Sequence, residues 1–509
     1  MRFTSKKLVA SALAAAVLGG SAIPASAQTP PTLTPRMQVQ HLLRRFAFSA
    51  SPETVTAVTA SGVSAWLTQQ ETLTGLGSCS GEIETPPASL SASGNYVDYN
   101  VFDRLIIQHM VFTPCQLLAK MELHWLDHFA VGLQTVGDPA LMYHYEQTIR
   151  ADALGNFAKL VSDVSQEPAM LIWLSNNNNS GPVANENFAR ELMQLYTLGL
   201  YKLNDDGTQL LTNNNPTPSY SQAEVQELAK AMTGYSVTFD YTNPNPETRF
   251  TTQFNTNNHY SGKLAFFGHI QTVPNDITSI PFVVQQISKQ RSVAPFIVTE
   301  LLQRFVTEKP SAQYISNVVA VWRAAEKAPD QLAQVITAIA NDPEFNAAYH
   351  SMAKQPAEMV FGALRSMPGA MTPPPNAAPG SSVQSGLGNL SQDLLYPPSV
   401  FSFYRPGALN TLTNTGSVLN RTYVFNTLTR ADAVGNPSVD TYIDMAALRV
   451  RINNMHQAVI STYLMDALLD GGTAALQGKL NEYLGAKPSD NQIRGAIWLL
   501  LNTPDFAVN

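Results

Sequence analysis

The chain has 509 residues, with 31 Lys and Arg against 38 Asp and Glu and a formal charge of −7. That balance excludes a dedicated nucleic-acid binder, which needs a basic surplus to displace phosphate counterions. Charged residues make up 14% and hydrophobic ones 44%, against about 25% charged in an ordinary soluble domain, so the chain is neither disordered nor highly charged and is long enough for a large core.

Residues 1–27 divide into a basic start (Arg2, Lys6, Lys7), an apolar stretch from Leu8 to Leu18 and a small-residue ending, Ala25-Ser26-Ala27. This is the pattern of a secretory signal peptide with cleavage before Gln28. The apolar stretch is too short for a membrane anchor, which needs about 18 residues or more. Export to the periplasm or the medium is the expectation. Losing three basic and no acidic residues then takes the charge from −7 to −10. No later segment reads as a transmembrane span.

Helical period governs most of the remaining chain, over 36–48, 52–72, 97–133, 138–166, 184–198, 221–235, 281–341 with breaks, 354–367, 420–430, 438–468 and 472–502. The apolar stripes are clear at Leu118, Met121, Trp125 and Phe129, and again at Val293, Phe296, Ile297, Leu301 and Phe305. The fold class is therefore mainly α. Residues 203–219, with Asp205-Asp206-Gly207, the run Asn213-Asn214-Asn215 and two prolines, read as a turn-rich excursion. Short alternating runs at 236–241, 249–254 and 264–267 predict a small β-hairpin insertion over 236–268. The resulting organisation is a helical body over 28–367, a Pro/Gly/Ser-rich loop over 368–393, and further helix over 394–509 belonging to the same fold.

The two cysteines are Cys79, in a Gly/Ser-rich stretch, and Cys115, after Pro114 at a helix interruption. In an oxidising compartment they are expected to pair, two isolated buried thiols being the alternative. They do not make a zinc site, which takes four ligands at short spacings.

Three segments concentrate polar residues that helix packing does not need. His124 and His128 stand four apart on one helix face, a spacing that can bring two imidazoles to one metal. No Glu follows His124, however, and the stripe contains Trp125 and Phe129, so a core-facing histidine is the favoured reading and no metal is assigned. In Asn185-Glu186-Asn187-Phe188-Ala189-Arg190-Glu191-Leu192, Asn185 suits a helix N-cap and Glu186 the first turn. Arg190 and Glu191 point about 100° apart, so at least one should project inward; both are expected to be largely inaccessible, and at least one to meet a polar partner from another segment, with His128 or His259 favoured. Finally, Asn258-His259-Tyr260-Ser261-Gly262-Lys263 places a histidine and a lysine on a loop, where either a general base or an ordinary polar turn would look the same.

In this order the segments resemble the DUF1800 family of secreted bacterial proteins, whose name records that no function was assigned. The resemblance begins at His41-Leu42-Leu43-Arg44-Arg45-Phe46-Ala47-Phe48-Ser49, similar to H-L-L-R-R-x-x-F-G, and continues through Trp125 to Phe129, similar to F-W-x-x-H-F. Asn185 to Leu192 with Tyr196 to Gly199 is similar to N-E-N-x-A-R-E-L-x-E-L-x-T-L-G. Val225 to Tyr235, His259 to Gly268, Lys354 to Arg365 and Leu395 to Val400 are further matching segments. The chain departs from the pattern at His124, where the family has Phe, at Gln194 and Tyr260, where it has carboxylates, and at Ser402-Phe403, where it has Gly-Trp. The resemblance implies secretion and a largely helical fold, and no substrate or cofactor.

Two functional readings stand. In the first the protein is a secreted binding or assembly protein for a glycan or protein partner. In the alternative it is a secreted hydrolase-type enzyme, metal-assisted or not, with His128, Glu191 and His259 as acid/base groups and Arg190, Lys263 and Asn187 holding the ligand. Either way the expected site is where the 117–133 and 185–199 helices meet the 258–268 loop.

Overall fold

The computed structural model describes residues 33–73, 100–181, 183–246, 248–371, 381–403, 415–430, 440–453 and 457–508. The leader and Cys79 lie outside the described residues; Cys115 is buried in the core.

The fold is mainly α. Its N-terminal half contains α1 (Pro35–Phe46), α2 (Pro52–Ser61), α3 (Val63–Leu73), α4 (Asn100–Phe112), α5 (Gln116–His128), α6 (Leu133–Val136), α7 (Pro139–Asp152), α8 (Phe157–Gln166), α9 (Pro168–Trp173) and α10 (Asn187–Gln194). The starts follow from the sequence. Thr34 and Ser51 accept from backbone N–H groups three residues on, and proline stands at the first position of α1, α2 and α7, where its missing N–H costs nothing. The long helices expected from periodicity are shorter: Gly62, at φ +92, divides 52–72, and Thr113-Pro114-Cys115 divides 97–133. Helix α10 is also shorter than the 184–198 expectation, and Asn185 accepts from the Asn187 N–H at 2.9 Å as a turn just outside it.

Between the helical halves lie three hairpins and one helix. The excursion at 203–219 contains β1 (Leu211–Thr212) and β2 (Asn215–Pro216), and α11 (Gln222–Ala231) starts on a Ser221/Glu224 capping box. β3 (Tyr235–Phe239) pairs antiparallel with β4 (Phe250–Phe254), and β5 (Lys263–Phe266) with β6 (His269–Thr272). The insertion is thus two hairpins. Glu224 and Glu227 of α11 accept from the backbone N–H groups of Phe267 and Ala265, which fixes the second hairpin to the helix.

The remaining elements are α12 (Ser279–Ser288), α13 (Val293–Phe305), α14 (Ala312–Ala324), α15 (Gln331–Asn341), α16 (Pro343–Ala347), α17 (Pro356–Ser366), β7 (Gly369–Met371), α18 (Ser381–Asn389), α19 (Thr415–Leu428), β8 (Thr441–Ile443), α20 (Met445–Ile452), α21 (Gln457–Leu469), α22 (Ala474–Leu484) and α23 (Asp490–Leu501). Composition predicts loop where β7 and α18 stand. β7 is held by antiparallel pairing with the distant β8, and α18 by the Asp440 carboxylate, which accepts from the backbone N–H groups of Ser381 and Ser382. Neither partner is local, so neither element has a local sequence signal. Buried side chains from Val39 to Phe506 form one continuous cluster. Among the described residues no helix is long and apolar enough to cross a membrane.

One polar cluster lies inside this core. Arg150 of α7 donates to Glu122 at 3.1 Å and to Glu146, while His109 Nε2 lies 3.5 Å from Glu122. Burial alone would raise Glu122, yet the Arg150 guanidinium and His109 hold it down at about 2. Burial and the neighbouring Glu122 charge push Glu146 up to about 8. The folded state therefore keeps a proton on Glu146 that the unfolded chain releases above about pH 4.5. This contribution is complete below that pH and is lost as pH rises toward 8, with a slope of up to about 1.4 kcal/mol per pH unit. Urea unfolding of wild type and Glu146→Gln should show wild type losing stability relative to the variant across that window. Parallel curves would refute the assignment.

Candidate functional site

A cleft of about 470 Å³ opens where α5, the end of the α10 segment, α13, the start of α17 and the 400–402 turn meet. Helix α13 supplies Phe296, Glu300, Gln303 and Arg304, spaced i, i+4, i+7 and i+8 and so aligned on one helix face. Its other face carries Ile297, Leu301 and Phe305 into the core. Gly199 lets the 195–200 turn close over α13: it sits at φ +70, and a Cβ there would lie 2.9 Å from the Phe296 ring. Gly362 does the same for α17, where a Cβ would come within 2.7 Å of the Phe48 carbonyl oxygen.

The inner wall carries charge. Glu358 Oε1 accepts from Lys120 at 2.5 Å and lies 3.7 Å from Arg304 Nη2, while Oε2 accepts the Gln355 backbone N–H at the start of α17. Burial would raise this carboxyl, but Lys120 and Arg304 hold it at about 2. Burial lowers the Lys120 ammonium to about 8 in spite of Glu358. Arg45, from the last turn of α1, is buried beside them and donates to the Ala348 carbonyl at 3.2 Å. The Arg304 side chain is only 10% exposed, and its Nε and Nη2 make no hydrogen bond among the described residues.

Two further groups complete the wall. His128 Nε2 faces the Tyr196 carbonyl oxygen at 3.1 Å, so this nitrogen carries the hydrogen. Its Nδ1 lies 2.9 Å from a Glu300 carboxylate oxygen. The two form an ion pair when the imidazole carries a second proton. Asp127 is raised by burial, and its Oδ1 accepts from the Ser402 hydroxyl at 2.9 Å. His124, packed against Trp125 and Phe305, is driven well below its usual value by burial and by His128, and is a neutral imidazole. Arg45 and Arg304 line the cleft, with Lys120 behind them on Glu358, and they face the carboxyl groups of Glu358, Asp127 and Glu300.

Ser402 explains one departure from the family pattern. It stands at φ +57, in the left-handed region that favours glycine, where the family has glycine. Here the hydroxyl's bond to Asp127 offsets the backbone strain. Ser402→Ala, which keeps the strain and loses the bond, should lower stability by about 1–2 kcal/mol. Ser402→Gly should lower it less, because relief at positive φ returns about 1 kcal/mol. Denaturant melts that rank the glycine variant below the alanine variant would contradict this.

Of the residues singled out from the sequence, His128 lines the cleft, whereas Glu191, His259, Arg190, Lys263 and Asn187 are not among its lining residues. Glu191 is buried and raises the Tyr196 phenol electrostatically, second to that ring's own burial, so it stands one layer behind His128. His259 is buried on the hairpin side: its Nδ1 faces the Thr233 carbonyl at 2.9 Å and its ring packs on Phe254. The expected burial of Arg190 is not found. Its side chain is 37% exposed and pairs with Glu186 at 2.8 Å and Gln222 at 3.1 Å, because one helical turn brings Glu186 beneath it at the surface. Lys263 is exposed at the start of β5, and exposed Asn187 donates to the Leu174 carbonyl at 3.3 Å. Sequence reasoning misses Glu300, Gln303 and Arg304. Their signal is the polar i, i+3, i+4 spacing on a helix with a complete apolar stripe of its own. Among the described residues no group of three or more His, Cys, Asp or Glu is placed to hold a metal ion.

This helical architecture, with its cleft closed by an irregular turn, matches one protein family. The chain is a member of the DUF1800 family: residues 41–508 match the family described as Protein of unknown function (DUF1800). No curated protein and no solved structure matches the chain. Five of the seven segments that carry the family resemblance contribute to the cleft wall, through Arg45, His128, Gly199, Glu358 and Val400. The segments at 225–235 and 259–268 do not; they build the hairpin side.

Proposed function

We propose that this protein is exported, that its leader is removed before Gln28, and that it binds a small organic anion in the cleft, with Arg304 as the principal contact. A bridge between Cys79 and Cys115 belongs to the same proposal, since export exposes the chain to oxidation. The observation that carries the binding reading is the Arg304 guanidinium, nine-tenths buried on the wall with two donor nitrogens unbonded. A buried guanidinium short of hydrogen bonds is stabilised by an anion that supplies them. The expected result in a thermal-shift screen of acetate, phosphate, citrate and octanoate is stabilisation by at least one anion, amounting to about 2.7 kcal/mol at a hundred times Kd. Arg304→Gln should abolish it. Indifference of wild type to every anion would overturn the proposal.

The His128–Glu300 pair favours a second reading, a secreted hydrolase in which this pair, in place of Glu191 and His259, moves the proton. General acid–base help of this kind contributes about 10²–10⁴ in rate. His128→Gln should then reduce ester hydrolysis by that factor while leaving anion binding at Arg304 intact. Equal hydrolysis by wild type and variant would remove this reading.

A further inference from the structure

Besides its polar groups the cleft is lined by Leu195, Leu200, Phe296, Met352, Val400 and Phe401. Leu200 is 55% exposed and Phe401 43% exposed. Two large apolar side chains this exposed, both lining one cleft, leave apolar surface that a ligand could cover. The two guanidinium groups are buried: the Arg304 side chain is 10% exposed and Arg45 2%. An occupant that satisfies both ends has its anionic group inward and a hydrocarbon portion outward.

We infer that the ligand is a monocarboxylate with an aliphatic or aromatic tail, its carboxylate on Arg304 and its tail on Leu200 and Phe401. This rests on the anion-binding reading above and adds the class of the anion. A carboxylate suits the position because a guanidinium pairs with it through two parallel N–H···O bonds. A small turn of Arg304, which is beyond hydrogen-bond reach of Glu358 at 3.7 Å, presents two donors to the cleft. Leu200 and Phe401 offer no cation to a second anionic group.

The test is isothermal titration of the full mature chain with acetate, butyrate, hexanoate, octanoate, 1-octanol and inorganic phosphate. Each added methylene should tighten binding about fourfold until Leu200 and Phe401 are covered. Octanol should bind at least tenfold more weakly than octanoate. Leu200→Ser and Phe401→Ser, both at exposed positions that the fold tolerates, should weaken octanoate about tenfold each and leave acetate or phosphate unchanged. If anions bind with no dependence on tail length, or the two serine variants leave octanoate affinity unchanged, the tail assignment is overturned while anion binding survives. If octanol equals octanoate, the carboxylate contact is overturned. If no anion binds at all, the underlying reading fails together with this one.

Discussion

Replacing Glu358 by glutamine should destabilise the protein by about 3–5 kcal/mol, the effect expected when one partner of a buried ion cluster is removed. Glu358 is the one carboxylate in hydrogen-bond contact with Lys120 and the nearest to Arg304, and its other oxygen holds the first turn of α17. The amide keeps the shape and removes the charge, so Lys120, Arg304 and Arg45 are left facing one another in the core. The variant should recover in part as pH rises, because Lys120, lowered to about 8 by burial even beside Glu358, loses its proton more readily once that carboxylate is gone. The wild type should show the matching acid dependence. Glu358 is held near 2, below the unfolded value, so its contribution is present above about pH 4.5 and is lost as pH falls toward 2. Urea melts of both proteins across pH 3–9 check each part. A variant as stable as wild type at neutral pH would mean that the wall is not electrostatically organised around this carboxylate.

The second large effect is expected at Asp138. Its carboxylate receives Arg249 through two nitrogens, Nε at 2.8 Å and Nη2, with both side chains almost wholly buried. The same carboxylate accepts the Ala140 N–H at 2.7 Å and so caps α7. Asp138→Ala removes pair and cap together, at about 3–5 kcal/mol for the stranded guanidinium and about 1 kcal/mol for the cap. Arg249 enters β4, so the loss should also loosen the β3–β4 hairpin from the helices. Amide exchange should therefore quicken first at Tyr235–Phe239 and Phe250–Phe254. Uniform acceleration over the whole chain would contradict a local tie.

The range of each interaction decides whether the sequence shows it. Capping boxes and first-turn prolines act within four residues, so α1, α2, α7 and α11 are legible, as are the alternating strands of the two hairpins. α18 and β7 depend on Asp440 and β8, some sixty to seventy residues away, and no local pattern reports them. The cleft is harder still. Its charges come from residues 45, 120, 304 and 358, each of which looks like an ordinary helix charge in its own segment. His128 is found because it lies in a segment that resembles the family. Arg304 and Glu300 are passed over because the apolar stripe of α13 already accounts for that helix. Arg190 misleads for the opposite reason: a charge between Phe188 and Leu192 suggests burial, but Glu186 one turn back satisfies it at the surface.

The most direct measurement is a crystal structure of the mature protein grown with octanoate. The carboxylate is expected within hydrogen-bond distance of Arg304, with the tail against Leu200 and Phe401. An empty cleft at saturating octanoate, or a carboxylate turned toward solvent with Arg304 still unbonded, would contradict the assignment of this cleft as an anion site.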